Sequence, residues 1–238
     1  MSQSMRWTEL LEEAALQRQC LDMMNAAWLG DYSSRGGVIH CGRGCNSCCL
    51  LAVSCTLTEA VALAGVLDEA QRAAVSAYAV RLQGLMGPVA DMKGYLQMQR
   101  REMGMCPLLA DDGSCGGYGL RPLSCRALLS TKESYWCGVD FAAVPAVGKE
   151  QYLASLDRSV TAFPLHYAAS PRETGSEFET RQLTHMQELF GFSCYGCMPV
   201  LVSLVDKHAL AEAASREQAE RQVEGAGFAS PLLVTWLP

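Results

Sequence analysis

The chain has 238 residues, half of them hydrophobic and only 18% charged, which supplies a core and excludes disorder as the main description. A formal charge of −6, with no dense lysine or arginine run, excludes a nucleic-acid backbone as partner. The 12 cysteines are too few for a small disulfide scaffold, and a chain of this length needs no covalent staples.

The opening residues carry acids early and lack an apolar core followed by a small-residue cleavage site, so a cytoplasmic location is expected. In a reducing compartment, closely spaced thiols point to metal or redox chemistry. No apolar run reaches the roughly 18 residues of a membrane span, so no membrane partner is expected.

From Trp7 to Leu29, apolar residues at helical spacing (Leu10, Ala14, Leu21, Met24, Trp28) predict one long helix ending at Gly30. A glycine- and serine-rich loop over 31–44 follows. Thr56, three residues before Glu59, is a capping-box start for a helix through Val66. Further helices are expected over Asp68–Met86 and Val89–Met103, broken by Gly87-Pro88. Turn residues fill the stretch from Gly104 to Gly119. Helical patterns return over Lys149–Phe163, from Thr174 (three residues before Glu177) to Phe190, and from Pro199 to about Glu224. The ending FASPLLVTWLP suits a short strand or an extended arm. Strand signals are otherwise thin. The expected fold is mainly α, a single helical domain whose irregular cysteine-bearing loops converge on a metal site. Its parts are an N-terminal helix and loop (1–37), a cysteine-cluster region (38–130) and a C-terminal helical region (131–238) packed on the same core.

Three cysteine groups carry the chemistry. The first is Cys41, Cys45, Cys48 and Cys49 on a glycine-rich turn. Glycine lets backbone curl around a metal and aim its amides at sulfur, and the Cys45/Cys48 spacing suits zinc or an iron–sulfur cluster. Adjacent side chains diverge, so Cys48 and Cys49 fit a multi-iron cluster or two separate metals better than one tetrahedral zinc. A small buried hydrophobe is the competing role for Cys49. The second group is Cys106, Cys115 and Cys125, with Arg121 and Arg126 flanking the last. Those two cations are expected to lower thiol pKa and to offset the charge of a bound cluster.

The third group, Cys194-Tyr-Gly-Cys197, has the separation of half a zinc knuckle or of a redox dithiol and is placed in a turn. Cys137 is a weaker candidate ligand, as is Cys55. Cys20, on a face with Leu16, Met23 and Met24, reads as a core thiol. Of the four histidines, His40 abuts Cys41 and reads as a loop residue. The Cys41-x3-Cys45-x2-Cys48 spacing also occurs in radical enzymes that use S-adenosylmethionine. The β/α barrel of such enzymes has no counterpart in the strand pattern here.

These residues resemble the YkgJ-type cysteine-cluster family of bacteria, a zinc- or iron-chelating domain. Its first motif, C-x2–3-C-x2-C-C, is matched by Cys41, Cys45, Cys48 and Cys49, then Thr58-Glu59-Ala60. Its second is matched by Cys106, Pro107, Leu109, Gly113, Cys115, Tyr118, Arg121, Pro122, Cys125 and Arg126. The match covers about 38–130, and Gly117 departs from the apolar residue usual before Tyr118. The resemblance implies metal binding by those seven cysteines, as an iron–sulfur site of the 4Fe-4S kind. A related domain occurs in flagellin lysine N-methylases. Three readings follow: an iron–sulfur protein with a redox or cluster-dependent role and an unknown redox or protein partner, a zinc-binding structural or interaction module, and an iron–sulfur-dependent protein lysine N-methyltransferase.

Overall fold

A computed structural model describes residues 1–42 and 44–237. Helix α1 (Gln3–Ser34) starts on Ser2, whose hydroxyl accepts from the Met5 amide. The next elements are β1 (Ser54–Thr56), α2 (Leu57–Ala64) and α3 (Glu69–Leu85). Both boxes at these starts close reciprocally, Thr56 with Glu59 and Asp68 with Gln71. Each satisfies two amides that a helix start would leave without partners. Helix α4 (Met92–Met98) runs into a π-turn over Gln99–Met103, so the helical pattern expected over 89–103 is two shorter pieces.

Short helices α5 (Leu123–Arg126) and α6 (Tyr135–Gly138) precede α7 (Ala146–Ala154) and the long α8 (Ala169–Phe190). Then come β2 (Cys194–Cys197), α9 (Met198–His208), α10 (Arg216–Gly225) and β3 (Val234–Trp236). The sheet is small and antiparallel, in the order β1-β2-β3, with Cys55 opposite Gly196 and Gly196 opposite Val234.

Helix α9 forms the centre. Val200, Leu201, Val202 and Leu204 are all but inaccessible, and the helix packs against α2, α3 and α10. Each such side chain contributes roughly 1.5–3 kcal/mol by leaving water. The fold is therefore mainly α and a single domain, as the sequence implies.

Several boundaries differ for physical reasons. Helix α1 continues through Gly30 to Ser34 because an interior glycine costs only about 1 kcal/mol. Trp28 stacks on Tyr32 across that glycine, with ring centroids 5.0 Å apart. Of the apolar stripe expected on its inward face, Leu10, Ala14 and Leu21 are buried but Met24 is exposed, as are Leu16 and Met23 on the face given to Cys20, whereas Gln17, Arg18 and Asn25 are buried. Two of those polar groups are paired. Gln17 accepts from Gln182 (2.9 Å) and Asn25 donates to the Arg126 carbonyl (3.2 Å), which removes the penalty of burying them.

Helix α7 starts before Lys149 and ends nine residues short of Phe163. Helix α8 begins five residues ahead of Thr174, because Pro171 in its first turn removes no helical hydrogen bond. The helix expected over 199–224 is broken at Ala209, which adopts φ 52°, and restarts at the Ser215 cap. The Cys194–Cys197 segment is a strand rather than a turn, the central one of the sheet. No helix among the described residues is long and apolar enough to cross a membrane.

Candidate metal centre

The first cysteine motif ends in a 3₁₀ turn over Ser47–Leu50. Its Cys49 carbonyl accepts from the Cys106 amide at 2.8 Å, so a single backbone bond joins the two motifs. The second motif folds back on itself. The Gly116 amide bonds the Leu108 carbonyl (2.8 Å), and Cys115 pairs with Leu109. Gly117, the departure from the family pattern, has a packing reason: a Cβ there would lie 3.0 Å from a Leu63 methyl.

One cavity results, and Cys45, Cys48, Cys49, Cys106, Cys115 and Cys125 all line it. Val53, Leu63, Leu108 and Met198 supply apolar walls. Among the described residues, no three His, Cys, Asp or Glu side chains already enclose a single metal ion. The thiols stand around the cavity, and ligation requires them to turn inward. As a donor set they fit a thiophilic metal, since sulfur ligands dominate and no carboxylate lines the cavity.

The thiols are unequal. The Cys48 thiol donates to Cys49, which holds the Cys49 pKa below its ordinary value and raises that of Cys48. Of the two, Cys49 gives up its proton the more readily, and the thiolate is the form that captures metal. Burial pushes Cys106 up to about 11 and Cys125 well up, with neighbouring thiols adding to both. Arg121 lines the cavity and favours the charged forms of Cys48 and Cys125. Its guanidinium stacks on Tyr118 at 3.9 Å, and its buried Nε has no hydrogen-bond partner.

Arg126 is placed differently. Its donors are taken by Asp22 (2.5 Å) and by the carbonyls of Arg121 and Gly119, so it ties α5 to α1 and does not line the cavity. Cys41 also lies outside the lining. Its sulfur accepts from the Ser130 amide at 3.1 Å, and burial raises its pKa to about 11. Cys137 is buried on α6 beside His166, 3.4 Å from Nε2. His166 was not singled out in the sequence: it lies 29 residues from Cys137 and no local spacing links them. Cys194 and Cys197 are buried in β2 as part of the core, and Cys55 faces the same interior from β1. Of these three, Cys197 comes nearest the second motif, as a neighbour of Cys106. Cys20 is half-buried against Leu21, Leu123 and Phe178, whereas Leu16, Met23 and Met24, the face expected to bury it, are exposed. The His40 amide donates to the Ser130 carbonyl, which pins the chain just before Cys41.

A second cavity shares Val53 and Leu128 with the first and contains Glu179, Tyr195 and Arg172. Burial, reinforced by Glu59, raises the Glu179 pKa from 4.5 to about 8. A carboxyl raised on folding binds more protons folded than unfolded between those two values, so its contribution to stability falls as pH rises from about 4.5 to about 8. Glu179→Gln is expected to remove that slope. Urea denaturation of both proteins at pH 5.5 and pH 8 checks it: the variant gains relative to the parent at the higher pH, and an unchanged difference contradicts the assignment.

No curated protein and no solved structure matches the chain. Residues 40–141, which hold the six lining thiols together with Cys41 and Cys137, match the model of the CxxCxxCC family, described as a "putative zinc- or iron-chelating domain".

Proposed function

We propose that this chain is an iron–sulfur protein with a redox or cluster-dependent role in a reducing cytoplasm, served by a redox or protein partner. The observation that carries the reading is the gathering of six thiols from two distant motifs at one apolar-walled cavity. When bound there, a cluster of the 4Fe-4S kind would supply one-electron chemistry, its potential set by burial and by hydrogen bonds to sulfur. The chain's own residues have separate tasks. Cys49, whose proton is the more easily lost of the Cys48–Cys49 pair, joins Cys45, Cys48, Cys106, Cys115 and Cys125 in the sulfur set. Arg121 places a cation beside that sulfur, so the anionic charge of a thiolate-bound centre is partly offset.

Zinc held by four of the same thiols is the competing reading, in which the metal orders the loops and carries no electrons. Anaerobic purification followed by iron and acid-labile sulfide analysis separates the two. The expected protein is brown and contains both. Cys125→Ser should lose most of the bound metal, and Cys20→Ala should retain it. Colourless protein carrying zinc and no labile sulfide would overturn the iron–sulfur reading. A methyl-transfer role for the same centre would show as a change in the reduced cluster's paramagnetic resonance on adding S-adenosylmethionine.

A further inference from the structure

The second cavity lies one layer of side chains away from the metal cavity, with Val53 and Leu128 common to both walls. Segment 51–54 and α5 separate the two, and the Ser124 hydroxyl joins these pieces by donating to the Ser54 carbonyl at 2.7 Å. Helix α8 closes another side. Its Arg172, Gly175, Ser176 and Glu179 all line the space, at the spacing of one helix face. Two turns separate the first from the last, so their Cα atoms stand about 10.5 Å apart along the axis, with two small residues between them.

Both ends of that face want a partner. One carboxyl oxygen of Glu179 is buried and makes no hydrogen bond, although a buried polar group is nearly always paired. Arg172 pairs with no carboxylate among the described residues. Leu51, Leu96, Leu165 and Tyr167 give the cavity apolar surface, and Leu96 and Leu165 are still 49% and 42% exposed. Apolar walls with a few convergent polar groups are the make-up of a small-molecule site. Burial holds the Glu179 pKa at about 8, so at neutral pH its carboxyl keeps a proton and can donate as well as accept. An amine would meet the Arg172 charge with no anion to offset it, whereas an acid meets a cation at one end and a neutral hydrogen-bonding group at the other.

We propose that this cavity binds a small organic acid with an apolar body, its carboxylate held by Arg172 and a hydroxyl or amide at its far end paired with Glu179. The site adjoins the metal centre but does not depend on which metal the thiols hold.

The probe is para-hydroxyphenylpropionate, which carries a carboxylate and a hydroxyl on opposite ends of an apolar ring. In a saturation-transfer NMR titration of the anaerobically purified chain it should bind with a Kd of about 1 mM or tighter. Phenylpropionate, without the hydroxyl, should bind several-fold more weakly, and tyramine, with a cation in place of the carboxylate, should not bind. These three arms need no variant to fold. Arg172→Gln should weaken the hydroxy acid roughly ten-fold or more. Glu179→Gln, whose amide also donates and accepts, should bind it as the parent does, and Glu179→Leu should bind the two acids alike. No transfer to the hydroxy acid, binding of tyramine in its place, equal affinity of the parent for both acids, or undiminished affinity in Arg172→Gln would overturn the proposal. Each of those results leaves the metal-binding reading standing, since that reading is judged separately by the metal and sulfide content of the same samples.

Discussion

Glu59→Ala is expected to cost about 3–5 kcal/mol, a large share of the stability of a domain this size. Glu59 is 2% exposed. One carboxylate oxygen accepts from the Thr56 amide (3.1 Å) and closes the box that starts α2. The other accepts from the Leu123 amide (2.7 Å) at the start of α5, the helix that carries Cys125. Arg18 and Arg126 lie near enough to favour its charged form against the burial that raises its pKa. Alanine leaves two buried amides without acceptors and removes the anion beside two arginines. Glu59→Gln should fall between, since its amide can accept at only one of the two positions. Denaturant titration checks the order parent, glutamine, alanine. Because the Leu123 amide sets the base of α5, metal affinity should fall in the same order. A loss below about 1 kcal/mol in the alanine variant would mean that neighbouring groups satisfy both amides.

Gly196→Ala is expected to be at least as damaging. Gly196 occupies the middle of the central strand, opposite both Cys55 and Val234. A Cβ there would sit 2.2 Å from the Leu233 carbonyl oxygen and 3.1 Å from the Val234 Cα. Both are backbone atoms and neither can swing aside, so β3 must separate from β2 or the sheet must open. A loss of about 3 kcal/mol or more, with earlier proteolysis of the C-terminal segment, is the expected result. A variant as stable as its parent would show that β3 does not pack on β2. The same geometry gives Cys194-Tyr-Gly-Cys197 a structural account: the glycine lets two strands approach, and the cysteines on either side are small core residues.

What could be read from the sequence was local. The Thr56–Glu59 box, the Asp68 start and the two long cysteine motifs depend on residues a few positions apart, and the chain folds there as their spacing implies. An identical Thr-x-x-Glu pattern at Thr174 misled, because nothing local showed that α8 already runs from Ala169. Hydropathy gave only part of the inward face of α1: Leu10, Ala14 and Leu21 are buried as expected, but Gln17 and Asn25 join them because Gln182 and the Arg126 carbonyl pair with them from far along the chain. Arg126 looks in sequence like a cluster-facing cation, but Asp22 on α1 draws it the other way. Cys137 and His166 meet only through the path of 130–167, and motif spacing carries no record of that meeting.

X-ray absorption at the edge of the bound metal, on the anaerobically loaded chain, bears most directly on whether the cysteines of 41–49 and 106–125 hold metal together. The spectrum should show a first shell of about four sulfur neighbours at about 2.3 Å, and replacing either Cys49 or Cys125 with serine should lower the sulfur count or abolish loading. A first shell of nitrogen and oxygen, or a sulfur shell unaffected by both substitutions, would contradict the account.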